Sequence, residues 1–155
     1  MPTDPTSNRL MVEAHYYDPW DFCGLTEDAD WATAKYFWGA DFAGNPRTSN
    51  WGQEDWVDTE FAKMKTKFVD NNIPVVIGEY GAILRTSLTG TTYTNHVIAR
   101  NNFLHYVTRK ALENGMIPVY WDNGALGNNG SGLFNRTNNT VAYPDAVQAI
   151  VSALD

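Results

Sequence analysis

The segment VVIGEYGA (residues 75–82) combines an almost continuous apolar run with a single carboxylate, Glu79, between two glycines. A run of this kind, introduced here by Pro74, is typical of a strand that is buried in a parallel sheet. Two other segments have a similar composition, residues 9–17 (RLMVEAHYY) and residues 116–121 (MIPVYW). The sequence therefore predicts three strands.

Two patterns of helical spacing separate these strands, one over residues 53 to about 69 and one from about residue 93 to 114. A last helix is expected from about Pro144, a residue that fits the first turn of a helix. This alternation of strands and helices predicts an α/β fold with a parallel sheet. Three such units are too few for a closed eight-stranded barrel of about 250 residues. The chain is therefore a small open sheet or the last part of a barrel.

The composition limits the classes of function. The chain has 155 residues, 43% hydrophobic and 19% charged, which suits one folded domain. Its net charge is −7 without a basic cluster, so we expect no nucleic-acid partner. No apolar run approaches the roughly 20 residues that span a bilayer, so we expect no membrane partner. Residues 1–8 are polar, without the core of a signal peptide, and are predicted to be a flexible lead-in to a domain of residues 9–155.

The cysteine and histidines offer little chemistry by themselves. A single cysteine, Cys23, excludes an intrachain disulfide, and no basic group close in sequence supports a reactive thiol. His96 and His105 fall in a predicted helix and are expected to be surface or packing residues. His15 with Glu79 is too small a set for a metal site, so no metal is expected.

The alternation of side chains along the strands predicts which residues meet at one rim of the sheet. Each predicted face ends in a polar or aromatic side chain at the carboxyl end of its strand, where α/β folds bind their ligands. The predicted faces are Met11, Glu13, His15 and Tyr17 in the first strand, Val75, Ile77 and Glu79 in the second, and Ile117, Val119 and Trp121 in the third.

Glu79 is the strongest candidate for a catalytic residue. A carboxylate at the rim of an apolar sheet suits a nucleophile or a general base, although it could also be a structural group that caps a neighbouring loop. His15 and Tyr17 could hydrogen-bond this carboxylate or a substrate hydroxyl, whereas a lone histidine at a strand end is most often structural. Glu13 is interpreted as structural support beneath His15.

The tryptophans are candidates for stacking on a ligand. We expect Trp56 to belong to the core, because it falls on the apolar face of a predicted helix. Four others lie in the long loop of residues 18–52, and one or two of them are expected to face a ligand: Trp20, Trp31, Trp38 and Trp51. Trp121, at the end of the third strand, is the best candidate for stacking at a reaction centre.

Four segments together carry a resemblance to a known family: VEAHYYDPWDF (12–22), AKYFWGADF (34–42), PVVIGEYGA (74–82) and IPVYWDNG (117–124). With them the chain resembles glycoside hydrolase family 5, the clan A cellulases, and looks closest to the subfamily-4 endoglucanases and xyloglucanases. The resemblance implies an α/β fold, the C-terminal portion of a (β/α)8 TIM barrel with about strands 6–8 and their helices.

The resemblance also implies a role for each matching residue. Glu79 matches the nucleophile, and His15 and Tyr17 match the His-x-Tyr pair, in which Tyr17 is expected to hydrogen-bond the nucleophile. Trp121 matches the tryptophan under the sugar at the cleavage site. Two more residues are expected to support substrate binding, Trp38 in the long loop at the cleft and Asn123.

One element of the family pattern has no counterpart. The family's acid/base glutamate lies in an Asn-Glu-Pro motif, and this chain contains no Asn-Glu pair. Retaining hydrolysis needs two carboxyl groups about 5–5.5 Å apart, without a metal or organic cofactor. The resemblance therefore implies the nucleophile part of a retaining endo-β-1,4-glucanase acting on β-glucans, secreted or periplasmic, with the N-terminal barrel half as a separate partner chain.

Two alternatives stay open at this point. A non-catalytic carbohydrate-binding module would explain the loop tryptophans, but leaves the predicted rim of His15, Tyr17 and Glu79 without a purpose. The chain could also be a complete small α/β protein, two copies of which pair into a barrel-like dimer. Without such a partner its outer strands would be open edges.

Overall fold

The computed structural model describes residue 6 and residues 8–154. Its strands are β1 (Val12–Tyr16), β2 (Val75–Tyr80), β3 (Ile117–Tyr120), β4 (Phe134–Asn135) and β5 (Thr140–Val141). Its α-helices are α1 (Trp20–Cys23), α2 (Glu54–Lys67), α3 (Gly90–Glu113) and α4 (Pro144–Val151). Short 3-10 turns cover Ala40–Phe42, Val69–Asn71 and Ser152–Leu154. Of the predicted lead-in, residues 1–5 and 7 lie outside the described residues.

The three predicted strands form one parallel sheet in the order β1-β2-β3. Val12 pairs with Val75, and Val76 pairs with Ile117. The sequence thus predicted the strands, the three long helices and the parallel sheet correctly. It did not predict α1 or the two-residue strands of the β4–β5 hairpin, whose apolar patterns are too short to recognise.

The two faces of the sheet have different surroundings. One face packs on the helices, where Val75 and Ile77 join a buried cluster with Phe103, Leu104 and Val107 of α3. On the other face, large apolar side chains are exposed: Met11, Ile117 and Val119. In a closed barrel this second face is the interior, which is normally filled by side chains from the remaining strands. We call it the open face.

An irregularity in β2 determines which face Glu79 occupies. Ala14 pairs with Ile77 and His15 pairs with Glu79, so Gly78 is an extra residue between two paired positions. A bulge of this kind shifts the alternation of side chains by one residue. Glu79 therefore joins the open face, whereas Ile77 points towards the helices. The prediction that Val75, Ile77 and Glu79 share a face is wrong for this reason.

The loop after β1 is held in place by a buried arginine that follows β2. The guanidinium of Arg85 donates hydrogen bonds to backbone carbonyls at the end of the α1 segment, including those of Phe22 at 3.3 Å and Leu25 at 2.8 Å. It also lies over the ring of Tyr36 at 5.4 Å. Burial lowers the pKa of Arg85 to about 10. The side chain satisfies the carbonyls of an irregular segment that would otherwise be buried without partners.

Trp56 does not belong to the core as expected. It lies on the exposed side of α2, with its ring edge-on to Trp51 at 5.9 Å. Its Nε1 donates a hydrogen bond to Asp18 at 3.1 Å. Val57 and Phe61 belong to the same predicted helical pattern and do fill the core, so the departure from the prediction concerns Trp56.

Candidate active site

At the rim of the sheet the side chain of Glu79 contacts His15 of β1 and Tyr17, which directly follows β1. The hydroxyl of Tyr17 donates a hydrogen bond to Glu79 Oε2 at 2.9 Å. His15 Nδ1 lies 3.4 Å from the same oxygen. The predicted convergence of His15, Tyr17 and Glu79 is therefore present, including the expected hydrogen bond from Tyr17.

The environment keeps Tyr17 a hydrogen-bond donor. Burial is the largest of three causes that raise the pKa of the Tyr17 phenol above its usual value. The other two are the hydrogen bond to Glu79 and the charge of that carboxylate. The phenol therefore holds its proton throughout the neutral range. The Glu79 side chain is 25% exposed, so its carboxylate is fixed by neighbours while remaining reachable from outside.

A groove of about 330 Å³ opens beside this carboxylate. Glu79 and Tyr17 form part of its wall, together with Trp121, which is 48% exposed. An exposed indole face beside a carboxylate provides an apolar surface on which a sugar ring can stack. The predicted pairing of Glu79 with Trp121 on one side of the sheet is thus present in the structure.

Asn123 also lines the groove, but its side chain is engaged in the loop that follows β3. Its Oδ1 accepts hydrogen bonds from the backbone N–H groups of Ala125 and Ser131, both at 3.0 Å. The neighbouring Asp122 accepts from the N–H of Leu133 at 3.0 Å. The structure therefore gives Asn123 a positioning task in this loop, and a direct contact with substrate stays a prediction.

Trp38 is not at the groove, contrary to the prediction. Its side chain is only 1% exposed, and Nε1 donates a hydrogen bond to the carbonyl of Gly52 at 2.7 Å. The ring packs edge-on against Phe103 of α3 at 5.3 Å. Trp38 therefore anchors the long loop to the core, and no face of its indole is available for stacking on a ligand.

The structure instead brings Trp20 to the groove. This residue is 46% exposed and its ring meets Tyr17 edge-on at 6.1 Å. The sequence offers Trp20 as one of four loop tryptophans, and the resemblance selects Trp38 rather than Trp20 for the cleft. The signal that could have distinguished it is proximity along the chain, since Trp20 follows Tyr17 by only three residues.

Two further residues differ from or add to the expectations. Glu13 is exposed on the open face, and its Oε1 lies 3.2 Å from Nε2 of His15, the residue it is predicted to support. Cys23 is buried, and burial raises the pKa of its thiol well above the usual value, so the thiolate is disfavoured.

Comparisons with known proteins agree with this geometry. The family model described as Cellulase (glycosyl hydrolase family 5) matches residues 1–127. The xyloglucan-specific endo-beta-1,4-glucanase of Bacteroides ovatus is 38% identical over 155 residues, which are 100% of this chain and 29% of that protein. Endoglucanase A of Paenibacillus barcinonensis is 39% identical over 149 residues, 96% of this chain and 35% of that protein. The chain thus spans about a third of the length of these relatives.

Solved structures show the same similarity. The Bacteroides ovatus GH5 xyloglucanase in complex with a XXXG heptasaccharide has a TM-score of 0.88 at 38% identity, covering 99% of this chain and 31% of that one. A GH5-4 broad specificity endoglucanase from Bacteroides salanitronis has a TM-score of 0.78 at 34% identity, covering 99% of this chain and 38% of that one.

Among the described residues, no helix is both long enough and apolar enough to cross a membrane.

Proposed function

Since the chain belongs to glycosyl hydrolase family 5, we propose that it carries the nucleophile of a retaining endo-β-1,4-glucanase that hydrolyses β-glucans. The predicted fold class is confirmed, because the chain corresponds to the C-terminal part of the family's catalytic (β/α)8 barrel. The observation that carries the proposal is the hydrogen bond from Tyr17 to Glu79 in a groove that also contains the exposed face of Trp121.

The arrangement around Glu79 suits nucleophilic attack. Both the Tyr17 hydroxyl and the His15 ring contact Oε2, which leaves Oε1 available to attack the anomeric carbon of a bound sugar. As the new C–O bond forms, the bond to the leaving oxygen breaks, and that oxygen takes a proton from an acid. The donor hydrogen bond from Tyr17 holds the carboxylate in one orientation, which lowers the cost of reaching the transition state.

Trp121 would provide the apolar floor for the sugar ring during this attack. Trp20, whose ring contacts Tyr17, adds a second exposed aromatic side chain to the same groove. Asn123 would act through the loop that follows β3, whose backbone it holds, and so would fix the wall of the groove next to Trp121. Trp38 has no place in this chemistry.

Hydrolysis also requires an acid/base carboxyl group about 5–5.5 Å from the nucleophile. We propose that this group lies on the barrel strands that precede this part of the fold. These strands would form the N-terminal barrel half, which we propose to be a separate partner chain. The exposed apolar side chains of the open face, Met11, Ile117 and Val119, support such a partner, because a barrel interior buries them.

The substrate is proposed to be a β-glucan, with or without xyloglucan branches. Solved relatives include enzymes whose structures contain a XXXG heptasaccharide and cellotetraose. Because glucan polymers lie outside the cell, we propose that the protein is secreted or periplasmic.

The proposal is tested by completing the barrel. The segment of the Paenibacillus barcinonensis endoglucanase A that precedes its match to this chain is produced both as a separate partner and fused to this chain; we call the fusion the hybrid barrel. Release of reducing sugars from soluble β-glucan and xyloglucan is measured. We expect activity from the hybrid barrel and from the mixed chains, little from either part alone, and none after Glu79→Gln.

A matched control and a contrary outcome accompany this experiment. Glu113→Gln removes an exposed carboxylate that pairs with Arg109 and Lys110 at the end of α3, and should leave the activity unchanged. Enzyme-like cleavage that survives Glu79→Gln would contradict the proposal. If the chain alone binds cellohexaose, and its affinity is the same after Glu79→Gln and after Trp121→Ala, a carbohydrate-binding module would be favoured.

A further inference from the structure

A second carboxylate on the open face takes no part in the proposed chemistry, although it contacts a residue that does. Glu13 Oε1 lies 3.2 Å from His15 Nε2, and His15 Nδ1 lies 3.4 Å from Glu79 Oε2. The three side chains therefore form a row that ends on the nucleophile. We propose that Glu13 is a positioning residue that holds the His15 ring with its Nδ1 edge towards Glu79. This inference rests on the proposed role of Glu79.

The ring of His15 needs such a holder. About half of its side chain is exposed, so packing alone does not fix the orientation of the imidazole. Each ring nitrogen faces a carboxylate oxygen, and a neutral imidazole donates from one nitrogen only, whereas an imidazolium donates from both. Because carboxylate oxygens only accept, Glu13 favours a proton on Nε2 just as Glu79 favours one on Nδ1. The contact with Glu13 thereby holds the Nε2 edge of the ring and keeps the Nδ1 edge beside the nucleophile.

Gly78 provides the space that this arrangement requires. A Cβ atom at Gly78 would lie 2.0 Å from Glu13 Oε1 and 2.7 Å from its Cδ. Gly78 is also the extra residue of the β2 bulge that brings Glu79 to the open face. One glycine thus admits the Glu13 carboxylate and helps to direct the Glu79 side chain. Because Gly78 does not have a positive φ, alanine is tolerated by the backbone and would displace mainly the flexible end of Glu13.

The contribution is expected in catalysis rather than in stability. In the 155-residue chain about half or more of each side chain, Glu13 and His15, is exposed, and exposed ion pairs contribute little to folding. Orientation of a group beside the nucleophile, however, affects the rate whenever the productive geometry is lost for part of the time. Substitution of Glu13 should therefore lower kcat of the hybrid barrel with little change in KM, and should leave the melting temperature of the 155-residue chain nearly unchanged.

The first experiment measures steady-state kinetics of the hybrid barrel on a soluble β-glucan. Glu13→Ala is expected to lower kcat about 10-fold with a change in KM below about 3-fold, whereas Glu13→Gln keeps most of the activity because its amide oxygen still accepts from Nε2–H. Gly78→Ala should cause a similar loss, and the double variant should lose no more than either single variant. Glu113→Ala, which removes an exposed ion pair elsewhere, is the matched control.

The second experiment uses the 155-residue chain itself and does not depend on activity. The ring nitrogens of His15 are followed by 15N NMR at a fixed pH in the wild type and in Glu13→Ala. We expect the fraction of rings with a proton on Nε2 to fall in the variant. An unchanged fraction, or a Glu13→Ala hybrid barrel with the wild-type kcat, would overturn the inference. An inactive wild-type hybrid barrel would instead count against the proposed function, and the NMR result would still decide whether Glu13 holds the ring.

Discussion

Acidification should destabilise this protein through one buried histidine, His96 of α3. Its ring is 0% exposed and bridges two backbone groups: Nδ1 lies 2.7 Å from the carbonyl oxygen of Tyr36, and Nε2 accepts from the N–H of Arg85 at 3.0 Å. The network assigns the proton to Nδ1. A second proton on Nε2 would face the Arg85 N–H directly and remove its acceptor, so the folded protein resists protonation.

The size of the effect follows from the pKa. Burial, aided by the nearby charges of Arg85 and Arg100, lowers the pKa of His96 from 6.5 to about 4. Between these values the unfolded chain binds the proton and the folded chain does not, so the free energy of unfolding decreases as the pH falls. Each unit of difference corresponds to about 1.36 kcal/mol, so His96 alone should remove about 3 kcal/mol between pH 6.5 and pH 4.

The assay is urea unfolding of the chain, followed by tryptophan fluorescence at a series of pH values. Carboxylates such as Asp122 also lose their stabilising effect in acid. Burial raises the pKa of Asp122, but its hydrogen bonds outweigh burial and hold this pKa below the usual value. The informative quantity is therefore the difference between the wild type and His96→Gln. The wild type should lose about 3 kcal/mol more than the variant over this range.

His105→Gln is the matched control, since His105 lies on the same helix and contacts the Ala149 carbonyl near the surface. It should leave the pH dependence unchanged. Equal pH dependence in the wild type and His96→Gln would refute the reasoning. If His96→Gln does not fold, NMR titration of His96 in the wild type gives the same decision: an apparent pKa near 6.5 contradicts it.

Three further predictions concern the groove and its loops. Tyr17→Phe removes a hydrogen bond to the Glu79 carboxylate and should cost about 2 kcal/mol, seen as a roughly 30-fold lower kcat/KM of the hybrid barrel. Trp121→Ala should weaken cello-oligosaccharide binding by about 1 kcal/mol or more in calorimetry of the Glu79→Gln hybrid barrel. Gly130→Ala should lower the free energy of unfolding by about 1–3 kcal/mol, because its Cβ would lie 2.1 Å from the carbonyl oxygen of Ala125, whereas Gly127→Ala should not, because nothing lies within 4 Å there.

The sequence predicted most of the sheet and of the site because both depend on local patterns. Continuous apolar runs predict the strands, and the position of Glu79 at the end of one of them points to the candidate site. Alternation along β1 was also sufficient to bring His15 and Tyr17 to the correct face. The same rule failed in β2, because the bulge at Gly78 shifts the alternation by one residue. A glycine inside a strand often marks a bulge, and this was the signal that simple alternation leaves out.

The tryptophans show the other limit. Whether a loop side chain is buried depends on which distant element it packs against, and the sequence near Trp38 does not contain Phe103 or the Gly52 carbonyl. The resemblance predicts Trp38 at the cleft, whereas the structure places it in the core. Trp56 shows the opposite case: the helical spacing predicts the buried residues Val57 and Phe61 of α2 correctly, but Trp56, on the same predicted face, is exposed.

The central claim, that Glu79 is the nucleophile, is tested most directly by trapping the covalent intermediate. The hybrid barrel is treated with an activated fluorinated cellobioside, which slows the second step of a retaining mechanism, and the digested protein is analysed by mass spectrometry. We predict one added glycosyl group on the peptide that contains Glu79, and none after Glu79→Gln. A glycosyl group on any other carboxylate, or turnover of the reagent without a labelled Glu79, would contradict the account.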